Sequence, residues 1–397
     1  MEQKTPKQVT APLFLLTGYG ISLLGDIIYS YGLNWFLVQL TGNTGLLGLV
    51  NGVSSLVLIV SNIIAGPIAD SKNRKAIMMI ADLLSAVVCI LSGLLFSNPI
   101  EHTALLILVS SVLNVSLSFN SPAAKAIVPE VLFHDKIEAF NSIQNTLSSL
   151  IKIGGPLLGA VLANHSNNFK EFLFINGITF LVSSGLTLFV RYRVTIHPDK
   201  EATIIADLLK GLRYVKQEIT LFSLIVLVML INFFMEGFML LLPYIVKTVL
   251  NRGSSQYSFI LSLTAVGGVI GGIILSASKK NGKKEIKFKT DIIILGIAFF
   301  IVGFLKNYPA LIALAFINGY IETQFNAKAF TLIQLSAKKE FLGRVFSVLF
   351  VACSLLTPIA DFIFGKTIPY LNWGCMQVIA LGIIGSVIIS SIRKETR

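Results

Sequence analysis

Twelve long apolar runs dominate the chain: Leu13–Val38, Gly45–Ile68, Ala76–Phe96, Thr103–Ile127, Ala139–Ala163, Phe172–Val190, Ile219–Val246, Tyr257–Ser278, Ile292–Leu305, Ala310–Leu335, Phe341–Phe364 and Tyr370–Ile392. The hydrocarbon core of a bilayer is about 30 Å thick and a helix rises about 1.5 Å per residue, so roughly 20 apolar residues cross it as one helix. The runs therefore predict an all-α membrane protein. The ninth is the shortest and is flanked by lysines, whose long stems snorkel toward the interface.

Composition agrees. The chain has 397 residues, 54% of them hydrophobic and 13% charged, with a mean hydropathy of +0.79. Ordinary soluble domains carry about 25% charged residues. The net charge of +12 raises the question of a nucleic-acid partner. The distribution of the cations argues for membrane orientation instead: with the amino terminus inside, 25 of the 32 Lys and Arg residues fall in cytoplasmic segments and 5 in external ones. Positive residues mark the cytoplasmic side. Both termini are expected in the cytoplasm of a multi-pass plasma-membrane protein, with no nucleic-acid partner.

The first run carries Asp26 in its middle and lacks a small-residue cleavage pattern, so it is expected to stay as a membrane helix. Cys89, Cys353 and Cys375 all lie inside apolar runs, where cysteine packs as a small hydrophobe, and no Cys or His spacing resembles a metal site. No cofactor is expected. The four histidines lie in loops or at run edges, and no nucleophile with a base lies at matched depth, so an enzyme is not expected. "FGKT", Phe364–Thr367, has the ending of a phosphate-binding loop without its first glycine, which is Ala360 here.

The longest polar interval, 191–218, divides six runs from six and contains the amphipathic patch "ADLLKGLRYVKQE". This predicts a lobe over 1–192, a cytoplasmic linker over 193–217 with a short surface helix, and a second lobe over 218–397. Two equal bundles fit the repeated architecture of secondary transporters. The fourth run ends "SFNSPAAKAI" and the tenth ends "TQFNAKAFTL", a short echo between the halves.

The charged segment "GPIADSKNRK", Gly66–Lys75, sits between the second and third runs. Gly66, Asp70, Arg74 and Lys75 give a G-x-x-x-D-x-x-x-R-K pattern that resembles the loop signature of the major facilitator superfamily, with Ser71 in place of that signature's first Arg. "GGPLLG", Gly154–Gly159, resembles the antiporter motif G-P-x-x-G at Gly155, Pro156 and Gly159. "LLGDIIY", "IADLL" and "EFLGRVFS" make the chain similar to the branch holding macrolide efflux proteins and siderophore exporters. Twelve transmembrane helices in two six-helix lobes are what the resemblance implies. It also implies that Asp70 sits against the cytoplasmic start of span eleven while the inner side is closed. There the positive end of a helix favours a carboxylate. The arginine common in span four of related drug antiporters is absent, and Lys152 in span five is the available substitute.

A charged side chain inside a membrane costs about 2.5 kcal/mol or more, so each one asks for a reason. The candidates are Asp26, Lys152, Glu236, Glu322 and Asp361. The resemblance places Asp26, Glu236 and Glu322 on helices lining the central cavity. Desolvated carboxyls there exchange protons near neutral pH and couple transport to a proton gradient. Structural readings stand beside these: Asp26 as a helix-break cap, Lys152 as the counter-ion of an acid, and Asp361 as an interfacial charge near Lys366. Glu322 shares a helical face with Asn318 and Asn326, and Glu236 shares one with Asn232.

The function expected is a proton-coupled exporter of a small amphipathic molecule, drug-like or macrolide-like, acting as a monomer in a bacterial inner membrane. The alternative is a dedicated siderophore, metallophore or lysolipid transporter of the same fold.

Overall fold

The computed structural model describes residues 10–71, 73–95, 103–165, 168–191, 204–277 and 287–395. Among these residues there are thirteen α-helices. They are α1 (Ala11–Thr41), α2 (Gly45–Ser71), α3 (Arg74–Leu95), α4 (Thr103–Val131), α5 (His134–His165), α6 (Lys170–Leu188), α7 (Ile204–Gln217), α8 (Ile219–Tyr244), α9 (Ser254–Ala277), α10 (Lys287–Leu305), α11 (Tyr308–Ser336), α12 (Leu342–Leu371) and α13 (Gly374–Glu395). A π-turn over Ile245–Val249 extends α8, and a 3-10 turn over Lys339–Phe341 leads into α12. Among the described residues there is no strand.

Nine helices among the described residues are long and apolar enough to cross a membrane. Three more complete the twelve. These are α10, α11 and α13; α11 carries Asn318, Glu322, Gln324, Asn326 and Lys328, and the apolar part of α13 is the shorter stretch Gly374–Ser390. The fold is all-α and membrane-spanning, and α7 is the helix outside the twelve. Residues 193–203 of the expected linker lie outside the described residues, and α7 forms the rest.

Helix ends follow from local chemistry. Asn307 Oδ1 accepts the Ala310 amide at 2.9 Å, with Pro309 in the first turn of α11. Gly42, at φ +67°, makes the turn from α1, and Asn43 Oδ1 accepts the Gly45 amide at 2.9 Å as α2 begins. The segment expected as a charged loop is mostly helix. Backbone of α2 continues through Ser71, and α3 starts at Arg74 with Asn73 Oδ1 accepting the Ala76 amide at 3.1 Å. A side-chain cap at Asn73 restarts a helix within two residues, so the charges need no extended loop.

The chain divides into two compact units: Met1–Leu40 with Val53–Glu201, and Thr41–Gly52 with Ala202–Arg397. In the first, α3 packs against α6 and α4, and an added Cβ at Gly177 would meet Ile90 at 2.6 Å. In the second, α9 and α11 run almost backbone to backbone. A Cβ at Gly271 would lie 2.6 Å from the Tyr320 carbonyl, and one at Gly319 would strike the Thr264 carbonyl. Lipid tails are as apolar as side chains, so close packing of small residues holds membrane helices together where hydrophobic burial does not.

Gly319→Ala is expected to lower the thermal unfolding midpoint of the detergent-solubilised protein, because backbone cannot rotate away as a side chain can. Overpacking costs about 1–3 kcal/mol. Gly154→Ala, which meets nothing within 4 Å, is the control. Equal midpoints for the two variants would overturn this account of the α9–α11 seam.

Candidate functional site

In the second unit, three acids from three helices converge. Gly237 of α8 has no side chain, and the Phe364 ring of α12 packs onto it, 2.5 Å from where a Cβ would be. Phe233 lies tilted against the same ring at 5.5 Å, and Phe234 meets it edge-on at 6.4 Å. This contact brings Glu236, beside Gly237, to Asp361, one turn before Phe364. The two carboxyls lie within hydrogen-bonding reach of each other, and Glu322 of α11 adds a further acid nearby. A carboxylate has no donor, so a hydrogen bond between two carboxyls requires a proton on one of them. Two carboxyls that meet out of water disfavour being ionised together.

Asp361 is 0% exposed and lies well inside α12, which continues to Leu371. The interfacial-charge reading is corrected: the helix is longer than its apolar run, and Lys366 is exposed while Asp361 is buried. Gly48, in the part of α2 that belongs to this unit, packs on the Asp361 and Gly365 backbone, and Thr44 Oγ1 donates to the Gly365 carbonyl at 2.8 Å. Asn318 is fully buried and donates to Glu322 Oε2 at 3.4 Å, so that part of the predicted polar face exists. Asn232 instead donates back to the Val228 carbonyl at 2.8 Å.

Asp26 lies in the first unit. Gly25 places α1 against α6, where a Cβ would meet Asn176 Oδ1 at 2.7 Å, and Asn176 Nδ2 reaches Asp26 at 3.4 Å. Absent from the sequence candidates is its neighbour Asp82 of α3, which is 2% exposed. Asn120 of α4 donates to one oxygen of Asp82 at 2.6 Å, and Ser183 of α6 donates to the other at 2.7 Å. The signal is present in the sequence, since Asp82 is the single charged residue of its apolar run. Lys152 is exposed on α5 and, among the described residues of its own unit, forms no ion pair with Asp26. Within the second unit Lys328 does pair: it donates to Asp291 of α10 at 2.7 Å and to Gln324 at 2.8 Å.

Two of the motif cations also work inside the first unit. Arg74 forms an ion pair with Glu130 at the end of α4, both side chains largely buried. Lys75 Nζ donates to the Leu188 and Val190 carbonyls at 2.7 and 2.8 Å, closing the C-terminal end of α6. Gly66 and Asp70 lie on the α2 backbone, and the surroundings of Gly66 and of the Asp70 side chain are outside what is described. Gly155 and Gly159 place α5 against α1, where added Cβ atoms would meet Ile27 at 2.7 Å and Tyr31 at 2.6 Å. Pro156 between them is buried. Among the described residues no group of three or more acidic, His or Cys side chains is arranged to hold a metal ion.

An all-helical membrane fold in two units, with acids gathered inside its spans, has the make-up of a membrane transporter rather than of a soluble binding protein. The Major Facilitator Superfamily model matches residues 15–389, and the chain belongs to that family. It is 26% identical over 380 residues to an uncharacterized MFS-type transporter, YvqJ, of Bacillus subtilis, covering 93% of this chain and 88% of that one. It is 23% identical to macrolide efflux protein A of Streptococcus pyogenes over 95% of both chains. It is 24% identical to the staphyloferrin A transporter of Staphylococcus aureus over 64% of this chain and 63% of that one. Among solved structures, a peptide transporter, POT, in complex with sulfate superposes with a TM-score of 0.73 at 15% identity, covering 98% of this chain and 96% of that chain. At that identity the likeness is one of fold.

Proposed function

We propose that the protein is a proton-coupled exporter of a small amphipathic organic molecule, drug-like or macrolide-like, working by alternating access. The observation that carries the reading is the meeting of Glu236, Asp361 and Glu322 on three membrane-spanning helices. Neighbouring carboxyls of this kind form a group that gains or loses charge within the membrane. Protonation then biases the same two-state equilibrium that substrate binding biases, which is what coupling requires. The similarity to a macrolide efflux protein over nearly the whole chain supports the substrate class. On the cation distribution, both termini lie in the cytoplasm, and the membrane is a bacterial inner membrane.

The second reading, a dedicated siderophore exporter, is favoured by the likeness to the staphyloferrin A transporter. One experiment separates the two. Purified protein in liposomes is assayed for uptake and counterflow of macrolides, cationic dyes and siderophores, with and without an imposed pH gradient. Gradient-dependent movement of macrolides or dyes is the expected result. Movement of siderophores alone selects the second reading, and flux of any substrate that ignores the gradient overturns proton coupling.

A further inference from the structure

α7 ends at Gln217 and α8, a membrane span, starts at Ile219, so Glu218 alone separates α7 from a membrane-spanning helix. That places α7 at the membrane surface. One of its faces is docked onto the start of α12. An added Cβ at Gly211 would lie 2.9 Å from the Arg344 backbone carbonyl, the Tyr214 ring stacks on Phe341 at 4.4 Å, and Tyr214 Oη accepts the Lys338 amide at 3.2 Å. Val215 is 1% exposed on the same face. The docking fixes which face is left over.

That outer face mixes two chemistries. Leu209 and Leu212 are 58% and 37% exposed, large apolar side chains that a water-facing helix would be expected to turn inward. Lys210, Arg213 and Lys216 are exposed among them. Apolar side chains between cations, on a helix held at the bilayer boundary, match a leaflet whose acyl region lies beneath anionic headgroups. Lys338 is exposed at the same end, and the exposed acids there among the described residues are Glu218 and Glu340, so the cations prevail.

We propose that the outer face of α7 is an anionic-phospholipid binding surface, with Leu209 and Leu212 entering the leaflet and Lys210, Arg213 and Lys216 holding lipid phosphates. α7 is clamped to the first turn of α12, the same helix that carries Asp361. Each basic residue near an anionic surface contributes about fivefold in lipid preference, so the three together dominate the response.

The test uses the full-length protein with Cys353→Ser and Leu212→Cys carrying a nitroxide, in nanodiscs of phosphatidylcholine with and without phosphatidylglycerol. Cys89 and Cys375 are fully buried and stay unlabelled in the folded protein. Accessibility is read with oxygen, which concentrates in lipid, and with a water-soluble nickel chelate. Phosphatidylglycerol is expected to raise oxygen access and lower chelate access, and high salt to weaken the effect. Lys210→Gln, Arg213→Gln and Lys216→Gln combined are expected to abolish the phosphatidylglycerol increment, while Lys210→Arg with Lys216→Arg keeps it. A chelate that reaches the label equally in both lipids overturns the proposal. So does an increment that survives the triple substitution or is lost in the arginine variant.

Discussion

Glu236→Gln is expected to abolish the response of transport to a pH gradient while leaving downhill counterflow in place. Glutamine keeps a donor for Asp361, so the α8–α12 contact survives, but position 236 no longer carries a titratable carboxyl. Coupling between two sites on one protein is typically about 1–3 kcal/mol, or roughly 5–150-fold, and gradient-driven accumulation should fall by a factor in that range. Asp361→Asn removes the other half of the pair and should give the same phenotype, with the double variant no worse than either single one. Glu322→Gln and Asp26→Asn test whether the remaining acids share the task. Full gradient-driven flux in folded Glu236→Gln and Asp361→Asn would sink this coupling site.

Arg74→Gln should be the most destabilising single change at the charged segment. Arg74 and Glu130 have side-chain exposures of 10% and 13%, so losing the guanidinium leaves a largely buried carboxylate without its cation. Removing one partner of a buried pair costs about 3–5 kcal/mol, whereas replacing both is far milder. Arg74→Gln/Glu130→Gln is therefore expected to recover most of the lost thermal stability. A double variant as unstable as the single one would mean that Arg74 holds the fold through something other than Glu130. The result also separates two roles of the motif, since a fastening of α3 to α4 changes stability, whereas a conformational device alone changes transport.

The spans were legible in the sequence because bilayer thickness imposes a length on them. The structure moved their ends more than their number: α12 runs seven residues beyond Phe364 to Leu371, and α10 begins at Lys287. Hydropathy marks where a helix is apolar, while hydrogen bonding and caps decide where it stops. The echo between "SFNSPAAKAI" and "TQFNAKAFTL" is not carried into the contacts, which come from positions the echo does not pair. Asn120 of the first segment bonds Asp82 of α3, and Lys328 of the second bonds Asp291 of α10. In each unit an aspartate on one helix meets a polar side chain on the next. One of those aspartates is met by amide and hydroxyl donors, the other by an ammonium, and a ten-residue resemblance carries no information about that difference.

By itself the sequence determined that this chain is a bundle of membrane helices and that its few intramembrane charges need reasons, because burial cost depends on residue type and position along a run. It could not determine which charges meet. Glu236 and Asp361 lie in different apolar runs, and they come together where Gly237 admits Phe364 against α8. Lys152 looked like the natural counter-ion and stands exposed, while Arg74, read as a loop cation, is largely buried against Glu130. Pairing is a property of packed surfaces, set by where a missing side chain lets two helices close. Only the tertiary structure decides it.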